Sequence, residues 1–253
     1  MIYYFSGTGN TKWVATSIAN QLQCEAIDIC KADFEASDTK EPIGFAFPIH
    51  GWQPPHIMRK FVRSLPHSIF ADRYIFAVCT CGDETGLALD IFRKELQSRG
   101  MSLRLSVSVQ MPNTYVIFPG FDVDKSDVEQ RKLSAVPQAA DALCQRIEAM
   151  EKGDFTHHGS VAWLKSRIIY PWFMRHVDDT PFATTDACVG CGRCAAACPT
   201  ANITISSHKP QWHGDCLNCL ACYHTCPHHA VAFGRRTRGK GQYTCPDNKT
   251  TSK

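Results

Sequence analysis

Eight of the chain's fourteen cysteines fall between Cys188 and Cys226. They form two runs of one pattern, C-x2-C-x2-C-x3-C-P. The first is Cys188, Cys191, Cys194, Cys198 and Pro199; the second is Cys216, Cys219, Cys222, Cys226 and Pro227. The runs superpose with a constant offset of 28, and Ile203 and Ile205 recur as Val231 and Phe233. Thiolates at this spacing are iron ligands: three cysteines at two-residue gaps wrap one cubane, while the fourth points away to ligate another. The expected pairing is therefore crosswise. Cys188, Cys191, Cys194 and Cys226 bind one 4Fe–4S cluster, and Cys216, Cys219, Cys222 and Cys198 bind the other. Gly190 and Gly192 leave room for backbone N–H groups to approach the sulfurs. Zinc modules pair two C-x2-C knuckles across a longer gap and need neither the third cysteine nor the Cys-Pro ending.

A second constellation opens the chain. Ser6-Gly7-Thr8-Gly9-Asn10-Thr11 follows a short apolar run, Ile2–Phe5, and precedes Trp13, Val14, Ile18 and Leu22 at helical spacing. Hydroxyl donors, glycines for the tight turn and the free N–H groups of a helix start can cradle a phosphate without lysine or arginine. The turn is not the G-x-x-x-x-G-K-S/T loop, lacking its lysine, nor G-x-G-x-x-G, lacking the third glycine. The bland alternative is an ordinary strand-to-helix turn.

Elements to position these groups are legible. Ile2–Phe5, Ala26–Ile29, Ile43–Phe47, Tyr74–Cys79 and Leu103–Val109 read as strands. Between them Met58–Ser64, Leu87–Gln97 and a long stretch from Asp127 to Met150 read as helices. Short apolar strands alternating with helices predict an α/β fold, a doubly wound parallel sheet. Five strands match a flavodoxin-like sheet, followed by a small α+β unit for the clusters. The expected divisions are 1–151 for the sheet domain, 152–182 for a linker, 183–246 for the two-cluster domain and 247–253 for a tail. Within the linker Val161, Leu164, Ile168, Ile169, Trp172 and Phe173 give a loosely helical aromatic segment, read as a helix that docks the two domains. A membrane-surface helix is the alternative, against which Pro171 and modest length argue.

Composition limits the classes. With 44% hydrophobic and 20% charged residues the chain buries a real core, and a net charge of +3 does not point to nucleic acid. No run is long and apolar enough to span a membrane, and Met1–Phe5 lacks the features of a signal peptide, so a cytoplasmic location is expected. In that setting fourteen cysteines imply metal or redox work rather than disulfides.

Residues 188–246 resemble one family's two-cluster portion: Asn202-Ile203 after the first Cys-Pro, Pro210-x-Trp212, and Gly234 through Tyr243-x-x-Pro246. The family joins an N-terminal flavodoxin-like domain to a C-terminal bacterial-type two-cluster ferredoxin and is common in strict anaerobes. The resemblance reaches Ser6–Thr11, the hydroxyl-rich loop by which flavodoxins hold the FMN phosphate, and so implies FMN. Pro48-Ile49-His50-Gly51-Trp52 and Thr80-Cys81-Gly82-Asp83-Glu84-Thr85-Gly86 occupy the places of the ring-binding loops. Met111, Asn113 and Tyr115 resemble the family's Met-Pro-Asn-Tyr segment. Trp52 and Tyr115 are either flavin contacts or packed aromatics, and Tyr115 either covers the ring or faces the clusters. His50 is either a donor to the flavin or a solvated loop residue; Cys79 and Cys81 read as small packing residues. This chain lacks the usual ring-facing tyrosine in the fourth-strand loop and is slightly basic where small flavodoxins are acidic.

From Pro181 onward eight Lys/Arg face three Asp. These cations offset negative clusters or dock an acidic redox partner; Arg235-Arg236-Thr237-Arg238 has no interleaved aromatics to read nucleic acid. His224, His228 and His229 are expected to be solvated. No catalytic triad or carboxylate pair stands out. Two functions remain open: a carrier passing electrons between FMN, two clusters and redox partner proteins, or a reductase whose clusters feed FMN for a small-molecule acceptor. In the second, the loop Gln110–Asp124 forms a lid.

Overall fold

The computed structural model describes residues 1–31, 41–66, 72–174 and 178–246. The 247–253 tail, with Lys249 and Lys253, lies outside them, as does the side chain of Phe173. The N-terminal half alternates β1 (Ile2–Tyr4), α1 (Asn10–Gln21), β2 (Ala26–Asp28), β3 (Ile43–Pro48), α2 (His56–Ser64), β4 (Ile75–Cys81), α3 (Ala88–Gln97), β5 (Leu103–Gln110), α4 (Ser126–Glu148) and β6 (Gly153–Phe155). The strands form one sheet in the order β2-β1-β3-β4-β5-β6, and every pairing is parallel. The expected class is correct, but the sheet has six strands where five were expected. Gly153–Phe155 adds beside Leu105–Val107; with one half-exposed apolar residue in three, it carries no periodic signal.

Parallel strands must be covered on both faces, and successive side chains point to opposite sides. Ile2, Tyr4, Phe76 and Val78 accordingly pack with Val14, Ile18, Val136 and Leu143 of α1 and α4. Their neighbours Tyr3, Phe5, Ile75 and Ala77 pack with Met58, Val62, Leu89 and Phe92 of α2 and α3. The strand order turns back between β1 and β3, the crevice where open α/β sheets bind ligands.

Past β6 come α5 (Ala162–Leu164), a π-helical stretch (Lys165–Ile169) and α6 (Tyr170–Met174). They pack on the N-terminal half through their polar side, Ser166 bonding Trp52, Gln53 and Leu87. Ser166 is fully buried, whereas Val161, Trp163, Leu164, Ile168 and Trp172 are exposed. The C-terminal part holds β7 (Phe182–Thr184), α7 (Arg193–Ala196), β8 (Ile203–Ser206), β9 (Lys209–Trp212), α8 (Ala221–His224) and β10 (Val231–Phe233). The apolar strands following each cysteine run do not pair with one another. β8 pairs with β9 and β10 with β7, both antiparallel. Val116 and Ile117, from the loop after β5, are buried in this second core with Leu220, Tyr223 and Phe233. The loop Gln110–Asp124 is thus anchored at its centre, which a free lid would not be. Among the described residues, no helix is long and apolar enough to cross a membrane.

The helices that follow the two candidate ring loops are tied together at Glu95 of α3. Arg63 donates to it from α2 through Nε at 2.8 Å and Nη2 at 2.7 Å, and Arg59 Nε donates at 2.9 Å. These bonds, led by that from Arg63, hold the Glu95 carboxyl below its ordinary range. A folded-state value below the unfolded one, about 4.3, gives stability that is present above that pH and is lost as pH falls through the folded value. Glu95→Gln should therefore lower stability at neutral pH by about 1 kcal/mol, a half-exposed pair being screened, and flatten the decline below about pH 4.3. Thermal unfolding across pH checks both.

Candidate functional site

Each cysteine run bends through two left-handed positions before a short helix. In the first run these are Gly190 and Gly192, at φ +69° and +78°. Their counterparts at the 28-residue offset, Asn218 and Leu220, adopt φ +53° and +60° with side chains attached. A non-glycine residue there costs about 1–2 kcal/mol, so the loop geometry is imposed by what the loop must hold.

Cys188, Cys191, Cys194 and Cys226 line one small cavity. In the other set Cys222 is close enough to Cys219, Cys216 and Cys198 for their thiolates to repel. The structure therefore brings together the crosswise sets expected from spacing. Burial pushes the Cys216 thiol up to about 11 and Cys219 to about 12, and raises Cys222 well above its ordinary value. The N–H groups of Asn218 and Ala230 donate to the sulfurs of Cys216 and Cys226, each at 3.3 Å. Cysteine sulfurs gathered in this way, with backbone N–H groups aimed at two of them, form a donor set that thiolate-ligated iron suits. Among the described residues no three His, Cys, Asp or Glu side chains converge on a mononuclear site. The thiolates of a cubane bind different irons and stand farther apart.

At the carboxyl ends of β3, β4 and β5 lies a cavity of about 500 Å³. Its walls include Trp52, Tyr115, Phe118 and Phe121, with Ile49, Gly51, Cys81, Gly82, Asp83, Glu84 and Asn113 between them. Trp52 sits at φ +63°, its Nε1–H donating to Glu84 Oε1 at 2.9 Å and its ring edge-on to Phe118 at 6.3 Å. Lys165 pairs with the same carboxylate from the linker. Lys132 of α4 joins Asp83 to Asp124 and so ties the fourth-strand loop to the loop after β5. An aromatic slot with a few fixed polar groups fits a planar ring such as isoalloxazine. Pro48, His50, Thr80 and Met111 lie off this cavity. His50 instead meets Phe5 edge-on at 5.8 Å, and burial pulls its imidazole down to about 4. Cys79 and Cys81 are buried free thiols, raised by desolvation, in keeping with a packing role.

The opening turn does not line this cavity. Gly7 and Thr8 open onto a separate concavity of about 440 Å³, shared with Ala197, Ala221 and Thr225 of the cysteine loops. Gly9 caps α1 at φ +102°, its N–H donating to Ser6 Oγ at 3.2 Å. Thr11 hydrogen-bonds Thr80 at 2.7 Å. Asn10 donates to the Pro112 carbonyl at 3.0 Å and accepts from the Tyr243 hydroxyl at 2.7 Å. The second cysteine loop lies on the turn: a methyl group at Gly7 would meet Cys219 Cβ at 2.7 Å. Hydroxyls and amides there keep the chemistry of a phosphate cradle, with Asn10 and Thr11 engaged in fixing the turn to the loop after β5 and to β4.

Sequence reasoning missed Lys165 and Tyr170, while Glu84 fell within the fourth-strand loop it singled out. Tyr170 packs against Gly51, where an added Cβ would stand 2.0 Å from its ring. Together Tyr115 and Tyr170 separate the aromatic cavity from a concavity of about 380 Å³ that reaches Gly214–Asn218 of the second cysteine loop. The absence of side chains at Gly51 was the available signal. His224 corrects another expectation: it is buried, not solvated. Its Nδ1 accepts the Tyr243 N–H at 3.1 Å, so its Nε2–H donates to the Thr114 carbonyl at 2.7 Å. That bond pins the loop after β5 to α8. Lys240, counted with the basic tail, likewise donates to Phe121 O at 2.8 Å and serves the junction between the halves.

Gly7→Ala tests the contact between turn and cysteine loop. Overpacking at a junction of this kind costs about 1–3 kcal/mol. The variant's thermal midpoint should fall by several degrees; an unchanged profile would show that the loop does not rest there.

Residues 1–116 match the flavodoxin domain model, and residues 187–230 match the 4Fe-4S dicluster domain model. Among solved structures, general stress protein 14 of Treponema denticola in complex with FMN aligns with a TM-score of 0.41 at 8% identity, over 59% of this chain and 98% of that one. A putative flavoprotein from Bacteroides uniformis aligns with a TM-score of 0.35 at 18% identity, over 52% and 95%. A flavodoxin from the domain Archaea gives 0.35 at 18%, over 56% and 96%. No curated protein matches the chain. With a flavodoxin domain at one end and a 4Fe–4S dicluster domain at the other, the chain is a flavodoxin–ferredoxin fusion, a redox protein of the flavin and iron–sulfur type.

Proposed function

We propose that the protein exchanges electrons between FMN and two 4Fe–4S clusters held in one chain, and relays them to redox partner proteins in the cytoplasm. The units are 1–151, carrying the flavin, 152–182 as linker, and 183–246, carrying the clusters. One observation carries the reading: Gly7 of the opening turn packs on Cys219, while Tyr115, Tyr170 and Gly51 line both the aromatic cavity and the concavity at Cys216. The cluster-binding loop is a direct neighbour of both flavin-binding elements.

In this reading the two cysteine sets each hold a cubane, with Cys198 and Cys226 exchanged between them. The Ser6–Thr11 turn supplies hydroxyls and amides to a phosphate, and Trp52 and Tyr115 flank the ring while Asn113 and the Gly82–Asp83 backbone border it. A flavin supplies one- or two-electron chemistry, whereas a cubane passes one electron at a time, which lets one chain couple two-electron donors to one-electron carriers. The residues here line the cavity and hold its aromatic walls in place. A second reading, reduction of a small substrate at the flavin, is favoured by the 380 Å³ concavity beside Tyr115, whose polar lining of Gln53, His56 and Arg59 leaves space for a ligand.

Two measurements test the proposal. After a substoichiometric pulse of a low-potential one-electron donor, flavin absorbance should change at a rate independent of protein concentration. A rate proportional to concentration would mean exchange between molecules and overturn the intrachain relay. Cys226→Ala should remove about half of the about eight irons, sparing the set around Cys222, and Cys198→Ala should do the converse. Iron analysis with EPR of the reduced protein distinguishes this from loss within each mutated run.

A further inference from the structure

The Ser6–Thr11 turn offers a phosphate hydroxyls and amides but no cation of its own. A cation comes from the other half of the chain. The concavity of about 440 Å³ onto which Gly7 and Thr8 open is also lined by Arg193 of the first cysteine run. Arg193 is exposed, and among the described residues it takes part in no ion pair. No Asp or Glu lines this concavity, and Thr8, Thr225 and Thr244 contribute to its walls from three separate segments. A concave surface carrying charge of one sign concentrates the opposite ion.

The internal repeat shows that iron does not demand this arginine. At the 28-residue offset Ala221 stands in the place of Arg193, and Ala197 in the place of Thr225. All four line the same concavity, so in each pair one member is polar and the other is alanine. Both runs nevertheless supply the same cysteines. A guanidinium presents its N–H donors in a fixed planar fork that matches a phosphate group, and hydroxyls can serve the remaining oxygens. Successive backbone N–H groups of a Gly-rich turn favour the same ligand. A carboxylate, with two oxygens, would leave part of such a donor set unused. We propose that Arg193, with Thr8 and Thr225, completes the Ser6–Thr11 turn as a binding site for a phosphate group. The inference rests on reading that turn as the flavin's phosphate cradle, and the same chemistry accepts free phosphate. Arg193 lies between Cys191 and Cys194, so phosphate binding by the flavodoxin half is tied to the loop that those cysteines close.

Flavin binding by the full-length, cluster-loaded protein stripped of flavin provides the test. Quenching of the fluorescence of added FMN or riboflavin gives the two affinities, and calorimetry with inorganic phosphate gives a third. Arg193→Ala copies the residue that the second run carries, so iron content and cluster absorption should be retained, and measuring them verifies the fold. The variant should bind FMN about tenfold more weakly, the loss of one charge-assisted contact, and riboflavin as before. Arg193→Lys should restore part of the loss. FMN affinity unchanged with the phosphate signal abolished would support the site with free phosphate as its source. Equal weakening of FMN and riboflavin would mean a structural role, and unchanged binding of both FMN and phosphate would mean none; either overturns the proposal. A wild-type chain that binds neither flavin would instead defeat the assignment of FMN as cofactor, while the phosphate titration would still decide the role of Arg193.

Discussion

The contact on which the molecule turns is the meeting of Cys219 with Gly7. It requires a residue without a side chain at the centre of the flavodoxin-type turn, since even a methyl group would overlap the cysteine loop at 2.7 Å. Around that point the halves are sewn together by polar bonds that each half leaves incomplete. The Tyr243 hydroxyl serves Asn10, His224 serves Thr114, and Lys240 serves Phe121. Val116 and Ile117 cross into the core of the ferredoxin-type part. The two modules match separate domain families, but their packing is that of one structure with a shared interior.

The internal repeat explains how that junction is made. Both cysteine runs need two left-handed residues, and the first uses glycine for both. The second uses Asn218 and Leu220, keeping side chains where the loop abuts the flavodoxin half. Leu220 is buried and packs in the second core, so its conformational cost is offset by apolar contact that glycine could not make. The second thiol set is correspondingly the drier, with Cys219 and Cys222 raised by burial. Low-dielectric surroundings disfavour added negative charge, so the two cysteine sets offer unequal environments despite equal sequence patterns.

Legibility in the sequence followed the range of the interactions. The cysteine pairing is encoded locally, in two-residue gaps and a repeat, and the crosswise sets could be read from spacing. Period-two strands and period-3.6 helices gave the α/β class, while Gly153–Phe155 escaped because three residues with one apolar side chain have no period. Trp52, Asp83, Asn113 and Tyr115 reach the aromatic cavity because ligands in such sheets collect at strand ends. Long-range partners were invisible. Nothing local marks His224 as a bridge to Thr114, Tyr170 as the cover over Gly51, or Ser166 as the anchor that turns the linker's apolar residues outward. Periodicity located that helix and left open which side would face the protein.

The proposed electron exchange depends on two four-iron centres and a flavin residing together in a single chain. Anaerobic purification followed by quantification of iron, sulfide, zinc and flavin tests that most directly. The account expects about eight irons, about eight sulfides and one FMN per chain. Two zincs with no visible absorption, or four irons with no flavin, would contradict it.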